Sequence, residues 1–238
     1  MTSVASHYET LLAPIYLWMA GGPDKAFAAG AADISELLHL PGTAVDLGAG
    51  FGMHSVPLAR AGYKVLAIDT SAYLLERLRQ HSVGLPVKAV QADLRDFARH
   101  TCGPVDLILC MGDTLTHLDS TADVGLLLRS IAASLRPGGH FIATFRDYRE
   151  LPAGARRFIP VRSDERRIHT CFLEELAECV IVHDIVHEFR DNSWSQTVSS
   201  YRKLRLAPET VVQAAESAGL VCLKRPGPRG MLTILAHS

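Results

Sequence analysis

Val45-Asp46-Leu47-Gly48-Ala49-Gly50-Phe51-Gly52 is the stretch whose reading decides the fold. The apolar run Ala44-Val45-Asp46-Leu47 reads as a buried strand, and glycines follow at positions 48, 50 and 52. Residues 54–62 then read as a helix closed by Gly62. Glycine permits backbone angles that other residues avoid and lets a ligand touch the main chain. A strand, a glycine turn and a helix start together form a nucleotide-type cradle. A dinucleotide fold wants G-x-G-x-x-G; here the pattern is G-x-G-x-G, with Met53 where the last dinucleotide glycine would stand. Asp46 adds a carboxylate inside the strand, which would repel a pyrophosphate but suits a cationic or amino-bearing ligand.

Working outward, residues 64–69 form a second apolar strand ending in Asp69, about 20 residues beyond the first glycine of the turn. That spacing sets a carboxylate beside the cradle, where it can accept both hydroxyl hydrogens of a ribose. Its competing role is to cap the helix over 72–81, a task that Thr70 or Ser71 can take instead. Residues 87–94 give a third strand and its end. Asp93 there is free for a ligand if Asp96 caps the helix near Phe97. Residues 105–111 are the fourth strand, whose carboxyl end faces the crevice where open α/β sheets bind ligands. A helix over 121–135 stops at Arg136-Pro137-Gly138-Gly139, and a fifth strand runs over 140–145.

From 146 to 205 the pattern changes to partly alternating runs at 157–161, 167–173, 179–188 and 194–206, which read as antiparallel strands. A helix over 208–219, with proline at its start and glycine at its end, and a hairpin of strands at 220–224 and 231–236 complete the chain. Ahead of the cradle, 8–19 reads as one helical face and Asp24 as the cap of a second helix ending before Pro41. These two helices serve as a packing layer, a lid, or both. The expected division is a helical lid over 1–40, a core over 41–147 and 207–238, and an inserted substrate-shaping segment over 148–206.

Bulk properties narrow the partners. The 238 residues are 48% hydrophobic and 21% charged with a net charge of −1, which suits a globular core. No basic field exists to drive phosphate-backbone binding, so a nucleic-acid partner is not expected. The five cysteines form no C-x-x-C, and no metal site is expected. His169, His183 and His187 alternate with apolar residues but show no ligand spacing. The N-terminus lacks the basic and apolar regions of a signal peptide, and no apolar run is long enough to span a bilayer, so a soluble cytoplasmic protein is expected.

Taken in order, 45–52, Asp69, Asp93, 106–118 and the Leu-Arg-Pro-Gly-Gly of 135–139 resemble the motif set of class I S-adenosylmethionine-dependent methyltransferases. The resemblance implies a Rossmann-like, mostly parallel seven-stranded sheet with an antiparallel closing hairpin. It places S-adenosyl-L-methionine, and after reaction S-adenosyl-L-homocysteine, across the carboxyl ends of the first, second and fourth strands. The cofactor-binding set it implies is Tyr16, Asp46, Gly48, Ala49, Gly50, His54, Asp69, Thr70, Asp93, Leu94 and Met111. In it Asp93 takes the adenine amino group and Leu94 lies on the ring. More narrowly, 110–118 is similar to the Gly-Asn-Ser-x-x-His-Leu element of glycine and sarcosine N-methyltransferases, with Asp113 in place of the asparagine. That departure leaves an amino-acid substrate unassigned.

Methyl transfer from a sulfonium is an in-line displacement by an already activated donor, so the protein contributes alignment and exclusion of water. A base is needed only for a protonated acceptor. His117, with Asp113 nearby, is the expected catalytic pair. Trp18, Arg146, Tyr148, Tyr201 and Arg202 are expected at the acceptor, with Arg146 able to clamp an anion. The arginines at 156, 157, 162, 166 and 167 read as a solvated face or as an anion site. The expected activity is methyl transfer to nitrogen or oxygen of a small metabolite, with the oligomeric state, a homodimer included, left open. The alternatives are a methyltransferase acting on RNA or protein, a nicotinamide-dependent oxidoreductase, and a non-catalytic S-adenosylmethionine-binding protein.

Overall fold

The computed structural model describes residues 3–38 and 42–238. The expected helix end before Pro41 and the domain boundary at 40/41 lie outside them. In chain order the strands are β1 (Thr43–Leu47), β2 (Lys64–Asp69), β3 (Val87–Gln91), β4 (Val105–Cys110), β5 (Leu135–Phe145), β6 (Phe158–Ser163), β7 (Arg167–Glu175), β8 (Cys179–Arg190), β9 (Ser193–Leu204), β10 (Val221–Pro226) and β11 (Leu232–His237). The helices are α1 (Val4–His7), α2 (Tyr16–Met19), α3 (Pro23–Asp33), α4 (Ser55–Arg60), α5 (Ala72–His81), α6 (Thr121–Ser134) and α7 (Pro208–Ser217).

Seven strands form one sheet in the order β10-β11-β5-β4-β1-β2-β3. The strands β3, β2, β1, β4 and β5 run parallel, and β11 lies antiparallel between β5 and β10. Side chains alternate across a strand, and the core divides accordingly. Val45, Leu47, Ile108 and Phe141 pack under α6 and α7 through Leu128, Ile131 and Val211. Ala44, Val65, Leu107 and Leu109 face the other way, toward Leu58 and Ala59 of α4. Both faces are covered, so the central strands are apolar throughout. The chain leaves β1 toward β2 and β3 and later returns to β4 on its other side. This switch point opens a crevice at the carboxyl ends of β1 and β4.

The expected turn over 136–139 is instead part of β5, with the pairing to β4 shifted between Val105 and Leu107. Gly138, at φ 75°, absorbs the irregularity. The expected single helix over 8–19 is broken into short turns. Pro14 has no amide to give and its ring obstructs a continuous helix, so the chain passes through a wide turn at Tyr8–Leu12 and a tight one at Ala13–Ile15 before α2. Asp24 is not the cap of α3. Gly22 takes that place and Pro23 the first helical position, leaving Asp24 in the first turn.

Strands β6 to β9 form a separate antiparallel sheet inserted between β5 and α7. On β8 the side chains of Val180, Val182, Asp184 and Val186 share one buried face. Val4 and Tyr8 pack on it beside Tyr148, Leu173 and Tyr201. Leu12 and Ile15 pack against Val186. The N-terminal segment is therefore held between the two sheets. Among the described residues, no helix is long and apolar enough to cross a membrane.

Candidate active site

The glycine turn after β1 is held by β2, since the amides of Gly48 and Ala49 both donate to Ile68 O, at 2.9 and 3.0 Å. Gly48, Gly50 and Gly52 all have positive φ. A Cβ on Gly48 would stand 2.6 Å from Thr114 Cγ2, and one on Gly52 2.2 Å from Leu78 Cδ1, so these two glycines are required by packing. A Cβ on Gly50 would meet nothing nearer than Leu74 at 3.8 Å. The space over Gly50 belongs to a cavity of about 470 Å³ at the switch point.

Gly48, Ala49, Gly50, His54, Asp69, Thr70, Asp93, Leu94 and Met111 all line this cavity, and Tyr8, Tyr16 and Arg202 close over it. Asp69 Oδ2 accepts from Gly50 N and Oδ1 from Ser71 N, each at 2.8 Å. Burial raises the Asp69 pKa while these amides oppose the rise. Each oxygen keeps a lone pair for a ligand hydroxyl. Ser71 caps α5 by accepting from Leu74 N, which leaves Asp69 to tie the cradle.

Several expectations need correction. Asp93 is itself the cap of the turn Leu94–His100, accepting from Arg95 N at 2.8 Å, so Asp96 does not free it. The side chain of Arg95 also pairs with it and lowers its pKa. Asp46 is buried on the α4 side of β1, accepts from Ser55 Oγ at 2.6 Å and does not line the cavity, because its strand position faces away from the mouth.

Asp113 also lies outside the cavity lining. It sits at φ 77°, an uncommon value for a residue with a side chain. Its own amide bonds Thr144 O at 2.8 Å, and Arg146 N donates to its Oδ1 at 2.9 Å. Its Oδ2 receives Tyr148 Oη at 2.5 Å and the ammonium of Lys203. Burial pulls its pKa up, but Lys203 and these donors outweigh it and hold the carboxyl below its usual range. Asp113 is therefore a buried anchor and Tyr148 its partner, not a group at the acceptor. Arg146 donates its backbone amide to Asp113, and its half-exposed guanidinium pairs with the same carboxylate at 3.8 Å. Tyr201 backs His117 with ring centroids 5.5 Å apart. Trp18 donates to Asp164 at 2.5 Å, with the guanidinium groups of Arg162 and Arg167 over its ring, joining the N-terminal segment to the β6–β7 turn. Of the five side chains expected at the acceptor, Arg202 alone lines the cavity; it is held by Asp119 O at 2.9 Å.

His117 lines the cavity. Its Nε2 shares a 3.3 Å hydrogen bond with Tyr8 Oη, and its Nδ1 is buried without a protein partner. Burial first, then the charge of Lys203, lower its pKa to about 3, so the imidazole is neutral. Tyr8 and Glu9 escaped sequence reasoning. Glu9 accepts from Ser71 Oγ at 2.5 Å and Tyr73 N at 3.2 Å, latching the N-terminal segment across the cradle to α5. Lys203 escaped as well; an alternating strand gives no sign that its lysine is buried. His54, found where expected, pairs with Asp33 at 3.1 Å, and Arg229 pairs with the same carboxylate.

Residues 44–139 match the family model described as a methyltransferase domain. A glycine/sarcosine N-methyltransferase of Halorhodospira halochloris is 34% identical over 106 residues, covering 44% of this chain and 40% of that protein. A ubiquinone biosynthesis O-methyltransferase of Xanthomonas euvesicatoria pv. vesicatoria is 35% identical over 136 residues, covering 53% and 55%. The chain thus spans well under two thirds of the length of either relative. Among solved structures, the amino pentose methyltransferase CalS10 of Micromonospora echinaspora superposes with a TM-score of 0.75 at 16% identity, over 94% of this chain and 95% of that one. Residues 44–139 therefore match a methyltransferase domain, and the sheet order and this likeness show that the chain has the fold of the solved methyltransferase.

Proposed function

We propose that the chain transfers a methyl group from S-adenosyl-L-methionine to nitrogen or oxygen of a small metabolite. One observation carries this reading: the glycine cradle opens into a covered cavity that reaches His117. The residues fit the cofactor. Asp69 keeps acceptor capacity for ribose hydroxyls. Asp93 and Leu94 offer an acid and an apolar surface for the adenine. The backbone at Gly48 to Gly50 admits the methionine part without a side chain in the way. When bound, the cofactor supplies a methyl group on a positively charged sulfur, ready for displacement.

The chain's own residues supply position and dryness. Tyr8 and Tyr16 roof the cavity and exclude water from the transfer. Neutral His117 lines the cavity, its ring fixed by Tyr8 and backed by Tyr201. An acceptor amine arriving as ammonium gives up its proton to solvent before attack, because the imidazole of His117 is too weak a base to take it. The inserted sheet, with the N-terminal segment on it, shapes the acceptor end. A cavity of about 470 Å³ suits a metabolite. The relatives named above are, by their names, a glycine/sarcosine N-methyltransferase and an O-methyltransferase of ubiquinone biosynthesis, which supports a small acceptor of either atom type.

Calorimetric titration with S-adenosyl-L-homocysteine tests the reading. Saturable one-to-one binding, competed by S-adenosyl-L-methionine and not by NADH, is expected. Absence of binding at millimolar ligand would overturn it.

A further inference from the structure

The buried face of the inserted sheet carries a second group of side chains with their own chemistry. Cys171 on β7 stands directly opposite Asp184 on β8, and His169 lies two residues before Cys171, on the same face. Asp184 Oδ1 is 2.7 Å from His169 Nε2 and 2.8 Å from Cys171 Sγ, and that sulfur is 3.8 Å from the same nitrogen. From the other side, His7 of α1 brings its Nε2 to 2.8 Å from Asp184 Oδ2. His7, His169 and Asp184 are almost wholly buried. The three histidines that alternate in the sequence do not assemble, since His183 turns to Glu174 at 2.7 Å.

We propose that His7, His169, Cys171 and Asp184 form a site for one divalent transition-metal ion of the zinc class, which clamps the N-terminal segment onto the inserted sheet. The donor set is two imidazoles, a thiol and a carboxylate, the types zinc takes in tetrahedral sites. The donor atoms of His169, Cys171 and Asp184 already lie within 4.8 Å of one another, and His7, bonded to the other oxygen of Asp184, moves in to complete the shell. Charge closes as well: a thiolate and a carboxylate neutralise a dication, as a buried site requires. On binding, the Cys171 thiol loses its proton to solvent and each imidazole moves its proton to Nδ1, freeing Nε2 for the ion. His7 is prepared for this, because its Nδ1 lies 2.7 Å from Ser199 Oγ, which then accepts the proton and fixes the ring.

The position gives the ion a purpose. His7 precedes Tyr8, the partner of His117, and stacks on Tyr201 at 4.4 Å. An ion at this site orders the segment that roofs the cavity.

The test uses the full chain, without a histidine tag, titrated with Co²⁺ and then Zn²⁺. Expected are one equivalent of Co²⁺, tetrahedral visible bands and a thiolate-to-cobalt charge-transfer band, all erased by Zn²⁺. Cys171→Ser removes the charge-transfer band, while S-adenosyl-L-homocysteine binding reports that the chain is folded. His7→Ala weakens affinity by more than the ~10–100-fold that loss of an outer partner costs. Should either variant fail to fold, protection of Cys171 from a thiol reagent by Zn²⁺ in the wild-type chain, mapped by peptide mass spectrometry, decides. Substoichiometric uptake, an octahedral spectrum, a band that survives Cys171→Ser, or unprotected Cys171 would each overturn the proposal.

Discussion

Lys203, near the end of the inserted sheet, and Asp113, on the loop after β4, form an ion pair whose side chains are 6% and 3% exposed. It joins the insertion to the core at the level of His117. Removing one partner of a buried pair strands the other charge, at a cost of about 3–5 kcal/mol. Lys203→Met and Asp113→Leu should therefore each destabilise the chain by about that much, and the double variant by less than the sum. Denaturant unfolding of the four proteins measures this coupling. The pH dependence has a definite sign. The folded-state pKa of Asp113 is depressed, so its contribution is complete above the ordinary carboxylate value of ~3.9 and disappears as pH falls through the lower folded value.

His117 gives a pH effect in a different window. Its folded-state pKa of about 3 lies below the unfolded value of ~6.5. Between these values the unfolded chain binds a proton that the folded chain does not, so stability falls as pH drops from 6.5 toward 3. Melting temperatures of the wild type and His117→Asn should converge in slope above pH 6.5 and diverge below it. The wild-type activity should show no acidic limb near 6.5 assignable to this ring.

Tyr8→Phe keeps the packing on Tyr16 and Tyr201 but loses the bond to His117. A hydrogen bond of this kind contributes roughly 0.5–1.5 kcal/mol, which is about two- to twelvefold. The expected loss is in kcat, with little change in the affinity for S-adenosyl-L-homocysteine. A loss confined to cofactor affinity would place the Tyr8 hydroxyl on the cofactor instead.

Gly50→Ala separates ligand binding from folding. The new methyl group finds room in the protein, but at φ 54° it carries a strain of about 1–2 kcal/mol and projects over the cradle. Binding of S-adenosyl-L-homocysteine should fall far more than stability does. Gly52→Ala, with Leu78 2.2 Å away, should instead show its damage in the melting temperature.

The fold was legible because its signals are local. The run 44–47, the acid at 69 and the apolar strand 105–110 each carry their own periodicity, and β1, β2 and β4 lie where that periodicity sets them. The cradle was legible for the same reason: glycines that require positive φ are visible one by one. The acceptor end was not. Asp113 and His117 were read as a pair by nearness in sequence, yet the chain turns at Asp113 so that its carboxylate meets Lys203, 90 residues away, while His117 meets Tyr8, 109 residues away. Such contacts arise from how two sheets and one terminal segment pack, and no spacing within a single element records them. Asp93 failed on a smaller scale. Two acids stood near one helix start, and the amide of Arg95 chose the first of them.

Glu9 carries the last prediction. Its carboxylate accepts from Ser71 Oγ and Tyr73 N, and these bonds cross the mouth of the cradle from the N-terminal segment to the start of α5. If the segment closes over the cofactor, this latch governs release. A hydrogen bond to a charged group contributes roughly 1.5–3 kcal/mol, less where the site is wet. Glu9→Gln keeps the size of the side chain and one acceptor oxygen, whereas Glu9→Ala removes both bonds. The dissociation rate of S-adenosyl-L-homocysteine, followed by stopped-flow fluorescence, should rise about tenfold in Glu9→Ala and less in Glu9→Gln. Association should change little, because opening the lid does not alter the cradle. Melting of the ligand-free chain should also change little, since Tyr8, Leu12 and Ile15 still hold the segment on the inserted sheet. A Glu9→Ala variant with an unchanged dissociation rate would mean that the cofactor leaves by another side, past Arg202 and Asp119, which line the same cavity.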